Sequence, residues 1–124
     1  MDREYLVNQL MNIAKQNGVE IDAEVLGMIV NKAIFRVASK GSILQNVGEE
    51  TKTVALVING ICRAYYVDGD GNDITRGFSI PGTFCMDEGL FGYSESIVTW
   101  ETLEETTLMF FEIQEINHRN LGYI

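Results

Sequence analysis

The apolar positions of the chain change their period once, near residue 33. Before that point Leu6, Leu10 and Ile13 recur at helical spacing, and Met11 and Ala14 widen the stripe. The pattern predicts a helix over 2–17, capped by Asp2 and ended by Gly18 in a left-handed conformation. A second helix is predicted from Asp22. Val25, Met28, Ile29 and Lys32 share one face, where the lysine stem can lie along apolar surface. Both stripes are expected to pack on the rest of the domain.

After residue 33 the pattern becomes one of short strands divided by turn signals. A strand at 34–37 ends at Ser39-Lys40-Gly41. Another at 51–58 runs into Asn59-Gly60, a pair that accepts the positive φ angles of a tight hairpin, and 61–67 is expected to return beside it. Asp68-Gly69-Asp70-Gly71-Asn72 marks the next turn, with 74–78 coming back. Further strands are predicted at 96–102 and 106–112. Many short strands at this spacing predict an antiparallel sandwich or barrel-like roll. The 124 residues suit one domain: helices over 1–32, a β-roll over 33–112, and the start of a C-terminal helix over 113–124.

Charge narrows the partners. Nine Lys and Arg stand against 18 Asp and Glu, a formal net charge of −9. Such a surface repels phosphate backbones, and the basic residues form no stripe, so no direct nucleic-acid contact is expected. No apolar run is long enough to span a bilayer, and the opening MDREYLVNQL lacks a signal-peptide plan, so no membrane partner and a cytoplasmic location are expected. Cys62 and Cys85 read as small core residues, although two thiols can pair.

Candidate chemistry is sparse. Asp68-x-Asp70-x-Asn72 mimics the front of a calcium loop, but Asp73 stands where that loop needs glycine, and the place that needs glutamate holds none. A solvated turn is the better reading. His118 is the only histidine, which argues against a cupin-type metal centre. Ser94, Ser96 and Cys85 have no base nearby in sequence, so nucleophilic catalysis finds no support and no cofactor is expected. Trp100, Tyr65, Tyr66, Phe78, Phe84 and Phe91 read first as core aromatics.

Several pieces in order carry a resemblance: Lys40-Gly41-Ser42-Ile43-Leu44, then 57–66 (VINGICRAYY), then Asp70-Gly71-Asn72-Asp73-Ile74. Pro81-Gly82-Thr83-Phe84, Gly89-Leu90-Phe91 and Glu101-Thr102-Leu103-Glu104-Glu105 complete it. Together they resemble the cyclic-nucleotide-binding domain, in particular the effector domain of Crp/Fnr-type bacterial transcription regulators. The match runs from roughly 34 to 112, about two thirds of the chain. It implies an eight-stranded antiparallel jelly roll with short helices before it and a long helix after it.

The resemblance also implies a ligand loop, and the loop here departs from it. Cyclic-nucleotide binders of the family carry Phe-x-Gly-Glu, followed by an Arg-Ser or Arg-Ala pair that pins the phosphate. In this chain Met86 stands at the glycine place and Asp87 at the glutamate place, and Glu88 adds a further acid. The arginine should fall near Ser96-Ile97, yet no arginine lies between Arg76 and Arg119. Ordinary cyclic-nucleotide binding is therefore expected to be lost.

Arg76 is expected either to pair with Asp87 or Glu88 inside the roll, or to hold another anionic ligand. Met86, Cys62, Ala64 and Tyr66 are expected to line the same cavity or to fill the core. The candidate ligand-binding residues are thus Arg76, Asp87, Met86, Glu88, Ser96 and Ala64. The expected function is effector sensing, without enzymatic activity, in a Crp/Fnr-type regulator. Its partners would be a small-molecule effector of unknown identity and a second copy in a homodimer, with DNA held by a separate helix-turn-helix module. A stand-alone β-roll interaction module and a cupin-like enzyme remain as alternatives.

Overall fold

The computed structural model describes residues 3–16, 18, 20 and 22–114. The predicted Asp2 cap, the side chains of Ile13, Val25 and Ile29, His118, and residues 115–124 of the predicted C-terminal helix lie outside the described residues.

Helix α1 covers Arg3–Gln16 and buries Leu6, Leu10 and Ala14, as the stripe predicts. Helix α2 covers Ala23–Lys32. Asp22 caps it, accepting the Glu24 amide at 2.8 Å on Oδ1. Its buried face holds Leu26 and Val30, whereas Met28 and Lys32 are exposed, so the predicted face is rotated. No helix among the described residues is long and apolar enough to cross a membrane.

The strands are β1 Ile34–Ala38, β2 Ile43–Gln45, β3 Thr53–Asn59, β4 Cys62–Val67, β5 Asp73–Ser79, β6 Phe84–Cys85, β7 Thr99–Thr102 and β8 Thr106–Glu112. They form two four-stranded antiparallel sheets, ordered β1-β8-β3-β6 and β2-β7-β4-β5. This is the expected jelly roll. The short strands β2 and β6 carry too few residues to show a period of their own, and β7 begins three residues later than the apolar pattern predicts.

Strand β3 explains the layering. Val54, Ala55, Leu56 and Val57 are all at most 1% exposed, so both faces of the strand are covered. Val54 and Leu56 pack with Leu6, Leu10, Leu26 and Val30 of the helices. Ala55 and Val57 point the other way, into an interior shared with Cys62, Ala64, Cys85, Met86 and Trp100. Each fully buried Leu or Val contributes about 1.5–3 kcal/mol, which makes β3 the anchor between the two layers.

The Asn59-Gly60 reading is corrected. Strand β3 pairs with β6 and β8, while β4 pairs with β5 and β7, so Asn59-Gly60 is a crossing between sheets and no hairpin turn. Gly60 has φ +104, and a Cβ there would meet Thr106 Cα at 2.7 Å and Glu105 O at 2.8 Å. Glycine is needed because the backbone runs against β8. The turn at 68–72 is a true hairpin end. Asp68 Oδ1 accepts the Asp70 and Asn72 amides, each at 2.9 Å, and these bonds lower its carboxyl from the ordinary value, the Asn72 amide most.

Candidate functional site

The site is built where β6 gives way to a turn. Met86 follows Cys85 with φ +59, the one positive φ outside glycine among the described residues. A left-handed conformation costs an ordinary residue about 1–2 kcal/mol. Met86 thus holds a backbone conformation that glycine adopts readily, while its side chain is 3% exposed in the core between the sheets. A 3-10 turn, Glu88–Phe91, comes next. It is drawn against the chain before β3 and after β8: a Cβ on Gly89 would meet Ile113 Cδ1 at 2.5 Å and Thr51 Oγ1 at 2.9 Å.

The segment after this turn is pinned to the loop between β2 and β3. Ser96 donates its amide to Glu49 O at 2.8 Å, Gly48 donates to Ser96 O at 2.7 Å, and Thr51 donates to Ser94 O at 3.1 Å. These bonds hold Ser96 inward, where it is buried. Trp100 reaches the same point from β7. Its register partner on β4 is Ala64, a buried small residue that leaves room for the indole.

Glu88 is where these elements meet. Its side chain is buried, with a relative exposure of 7%. The Ser96 hydroxyl bonds to Oε2, and the Trp100 indole donates to Oε1 at 2.9 Å. Ser96 Oγ also lies 2.6 Å from Val98 O, so its single hydroxyl proton is shared between the carboxyl and the backbone. Both oxygens of Glu88 are therefore engaged by the protein itself.

The other candidates are placed differently. Asp87 is half-buried, and its carboxyl is raised from the ordinary value, first by burial and then by the charge of Glu88. Its own backbone amide opposes the rise.

Arg76 is exposed, and the expected ion pair with Asp87 or Glu88 is not formed. The reason lies in the register: Ala64 pairs with Gly77 and Tyr65 with Thr75, so Arg76 is the extra residue of a β-bulge on edge strand β5. Ala64 is on the inner face, opposite Gly77, where an added Cβ would meet nothing within 4 Å. Gly77 thus has open space beside it, while Ala64 is packed with Trp100.

Two features escape sequence reasoning. Trp100 reads as a generic core aromatic, although a buried indole N–H needs an acceptor and Glu88 is a buried acid needing donors. Arg63, on the outer face, bonds Glu101 at 2.7 Å, Asp73 at 2.8 Å through both oxygens, and Thr75 at 3.0 Å. It also stands 4.1 Å from the centre of the Tyr65 ring. It ties β4 to β5 and β7 and belongs to the frame. Among the described residues no three His, Cys, Asp or Glu side chains gather in a metal-holding group.

This geometry can be set beside known proteins. A family model described as "Cyclic nucleotide-binding domain" matches residues 35–118. No curated protein matches the chain by sequence. Among solved structures, the sensor domain of the transcriptional regulator DNR from Pseudomonas aeruginosa is similar, with a TM-score of 0.84 and 11% identity over 98% of this chain and 80% of that one.

The regulatory domain of Toxoplasma gondii protein kinase A, crystallised with cAMP, has a TM-score of 0.80 and 17% identity over 95% of this chain and 45% of that one. The regulatory subunit of a cAMP-independent protein kinase A from Trypanosoma cruzi, bound to guanosine, has a TM-score of 0.79 and 14% identity over 94% and 41%. The chain spans less than half the length of either kinase subunit. At these identities the likeness is one of fold.

Proposed function

The chain belongs to the cyclic nucleotide-binding domain family, and from that premise we propose that it is an effector-sensing domain of a Crp/Fnr-type regulator whose phosphate cassette no longer takes a cyclic nucleotide. The observation that carries this reading is the carboxyl of Glu88, held by Ser96 and Trp100 in the turn where the family cassette meets phosphate. A cyclic phosphate entering there meets Asp87 and Glu88, while Arg76 stands exposed on the bulge. At an intermediate dielectric, like charges about 4 Å apart repel by about 4 kcal/mol, enough to remove roughly a thousandfold in affinity.

The role is regulatory and not enzymatic. Its natural partner would be a small molecule, whose differential affinity for two states biases the rest of the regulator. With a net charge of −9, the chain is ill suited to hold DNA, so in this reading a separate module does so.

A ligand without phosphate fits the residues better. Gly77 leaves open space where a side chain would stand, and the half-buried Asp87 offers an acceptor for hydroxyl or amine donors. The guanosine-bound kinase subunit shares the fold and carries a nucleoside, which supports this ligand class.

Calorimetry with cAMP, cGMP and guanosine tests the reading. No heat of binding is expected from either cyclic nucleotide at micromolar concentration. Micromolar binding of cAMP or cGMP would overturn it.

A further inference from the structure

Cys62 and Cys85 are both free and fully buried, and they stand on different sheets. Register sets their directions. Cys85 lies opposite Ala55, which faces the interior between the sheets. Cys62 and Ala64 are the buried positions of β4 and face the same interior. The two thiols thus lie on facing surfaces within one cluster.

Stacked sheets usually sit about 10 Å apart, too far for a disulfide, whose Cα atoms are typically about 4.4–6.8 Å apart. At this corner the sheets converge. Ser79 is the register partner of Cys62, and its hydroxyl donates to Phe84 O at 2.8 Å, one residue before Cys85. The turn between β5 and β6 is closed by Thr83 and Ile80, whose amide–carbonyl bond is 3.0 Å long.

We propose that Cys62 and Cys85 are a reversible dithiol–disulfide pair that pins the two sheets together at the base of the Met86 turn. The inference is independent of the ligand reading above.

In the proposed sequence Cys62 attacks first. The neighbouring Cys85 side chain lowers the Cys62 thiol from the ordinary value against the effect of burial. Cys85 is pushed up, first by Cys62, then by burial and by the charges of Cys62, Asp87 and Glu88.

With a hydroperoxide as oxidant, the Cys62 thiolate attacks one peroxide oxygen and the O–O bond breaks. The leaving oxygen takes a proton, and Cys62 becomes a sulfenic acid. The Cys85 sulfur then attacks the Cys62 sulfur, the S–O bond breaks, and water leaves with the Cys85 proton. In sum, two thiols give up two electrons and two protons to the hydroperoxide. Both thiols are fully buried, so the oxidant can reach them only through local opening of the corner.

The test uses the whole chain and hydrogen peroxide, with alkylation by iodoacetamide in denaturant and intact-mass measurement. The expected product is monomeric, two hydrogens lighter and free of alkyl groups, with its Cys62 and Cys85 peptides joined. Dithiothreitol should restore two alkylatable thiols. Cys85→Ser should stop at a sulfenic acid on Cys62 that dimedone traps. Full double alkylation after peroxide treatment, or disulfides found only between chains, would overturn the proposal.

Discussion

The Trp100 indole donates to Glu88 Oε1 across 2.9 Å of buried space, joining β7 to the turn that follows β6. Removing one partner leaves the other unsatisfied inside the protein, which costs more than the net value of the bond. Glu88→Ala orphans the indole N–H, while the Ser96 hydroxyl keeps Val98 O as an acceptor at 2.6 Å. The expected loss is about 1–3 kcal/mol in urea denaturation. Glu88→Gln keeps an acceptor for Trp100 and should lose less. Trp100 is the only tryptophan, so its fluorescence reports this site alone, and the alanine variant should change the emission maximum.

Met86 sets two effects against each other. Glycine at this position would relieve a left-handed conformation worth about 1–2 kcal/mol. It would also empty the space of a side chain that is 3% exposed, and such truncations cost about 2–5 kcal/mol. The cavity wins, so Met86→Gly should be destabilised by about 1–3 kcal/mol on the same principles. A variant as stable as the parent would show that the methionine is not packed as described.

Gly60→Ala should be harsher. Its Cβ would overlap Thr106 Oγ1 at 2.4 Å, which can move, and also Thr106 Cα at 2.7 Å and Glu105 O at 2.8 Å, which are backbone. Overpacking and the φ of +104 act together, for about 2–5 kcal/mol. Denaturation of purified protein, or its recovery only in the insoluble fraction, checks this.

The contrast between these positions shows what the sequence makes legible. Strand β8 is read in full from its apolar run, and the Asp68 hairpin from its turn residues, because both signals are local. The family resemblance places Met86 at a glycine position, and Met86 has a positive φ, which glycine adopts readily. Asn59-Gly60 misleads, because the same dipeptide serves a hairpin or a crossing, and only the distant Thr106 decides between them. Arg76 misleads for a similar reason: the bulge that keeps it from Glu88 depends on the register with β4 and has no signature in β5 itself. The clasp on Glu88 joins residues from separate segments, and no spacing rule predicts it.

Arg63 and Asp73 give a pH signature. Hydrogen bonds from Arg63 hold the Asp73 carboxyl below its ordinary value of 3.8, and the same bonds, with Glu101, raise Arg63. For an acid with a depressed folded value, the stabilising effect is present above the unfolded value and lost as pH falls through the folded one. The stability gap between the parent and Arg63→Ala should therefore be widest near neutrality and close below about pH 4. Arg63→Lys should recover little, since a single ammonium cannot reproduce the two-oxygen contact with Asp73. Urea denaturation midpoints between pH 3 and 7 measure the gap.

Asp87 should behave with the opposite sign. Its carboxyl is raised from 3.8 by burial and then by Glu88, so the folded protein binds this proton more readily than the unfolded chain does. Where the folded state holds more protons, stability falls as pH rises, in the window between the unfolded value and the raised folded one. Ionised Asp87 is thus a burden at neutral pH, tolerated in a site that gives it no cation. Asp87→Asn removes the titration and keeps the size of the side chain. The variant should match the parent at low pH and exceed it progressively as pH rises through that window, reaching a constant advantage above it. Paired denaturation curves at closely spaced pH values follow the difference directly. A difference independent of pH would mean that solvent reaches the Asp87 carboxyl freely, and the desolvated acid proposed to meet a ligand's donors would have to be abandoned.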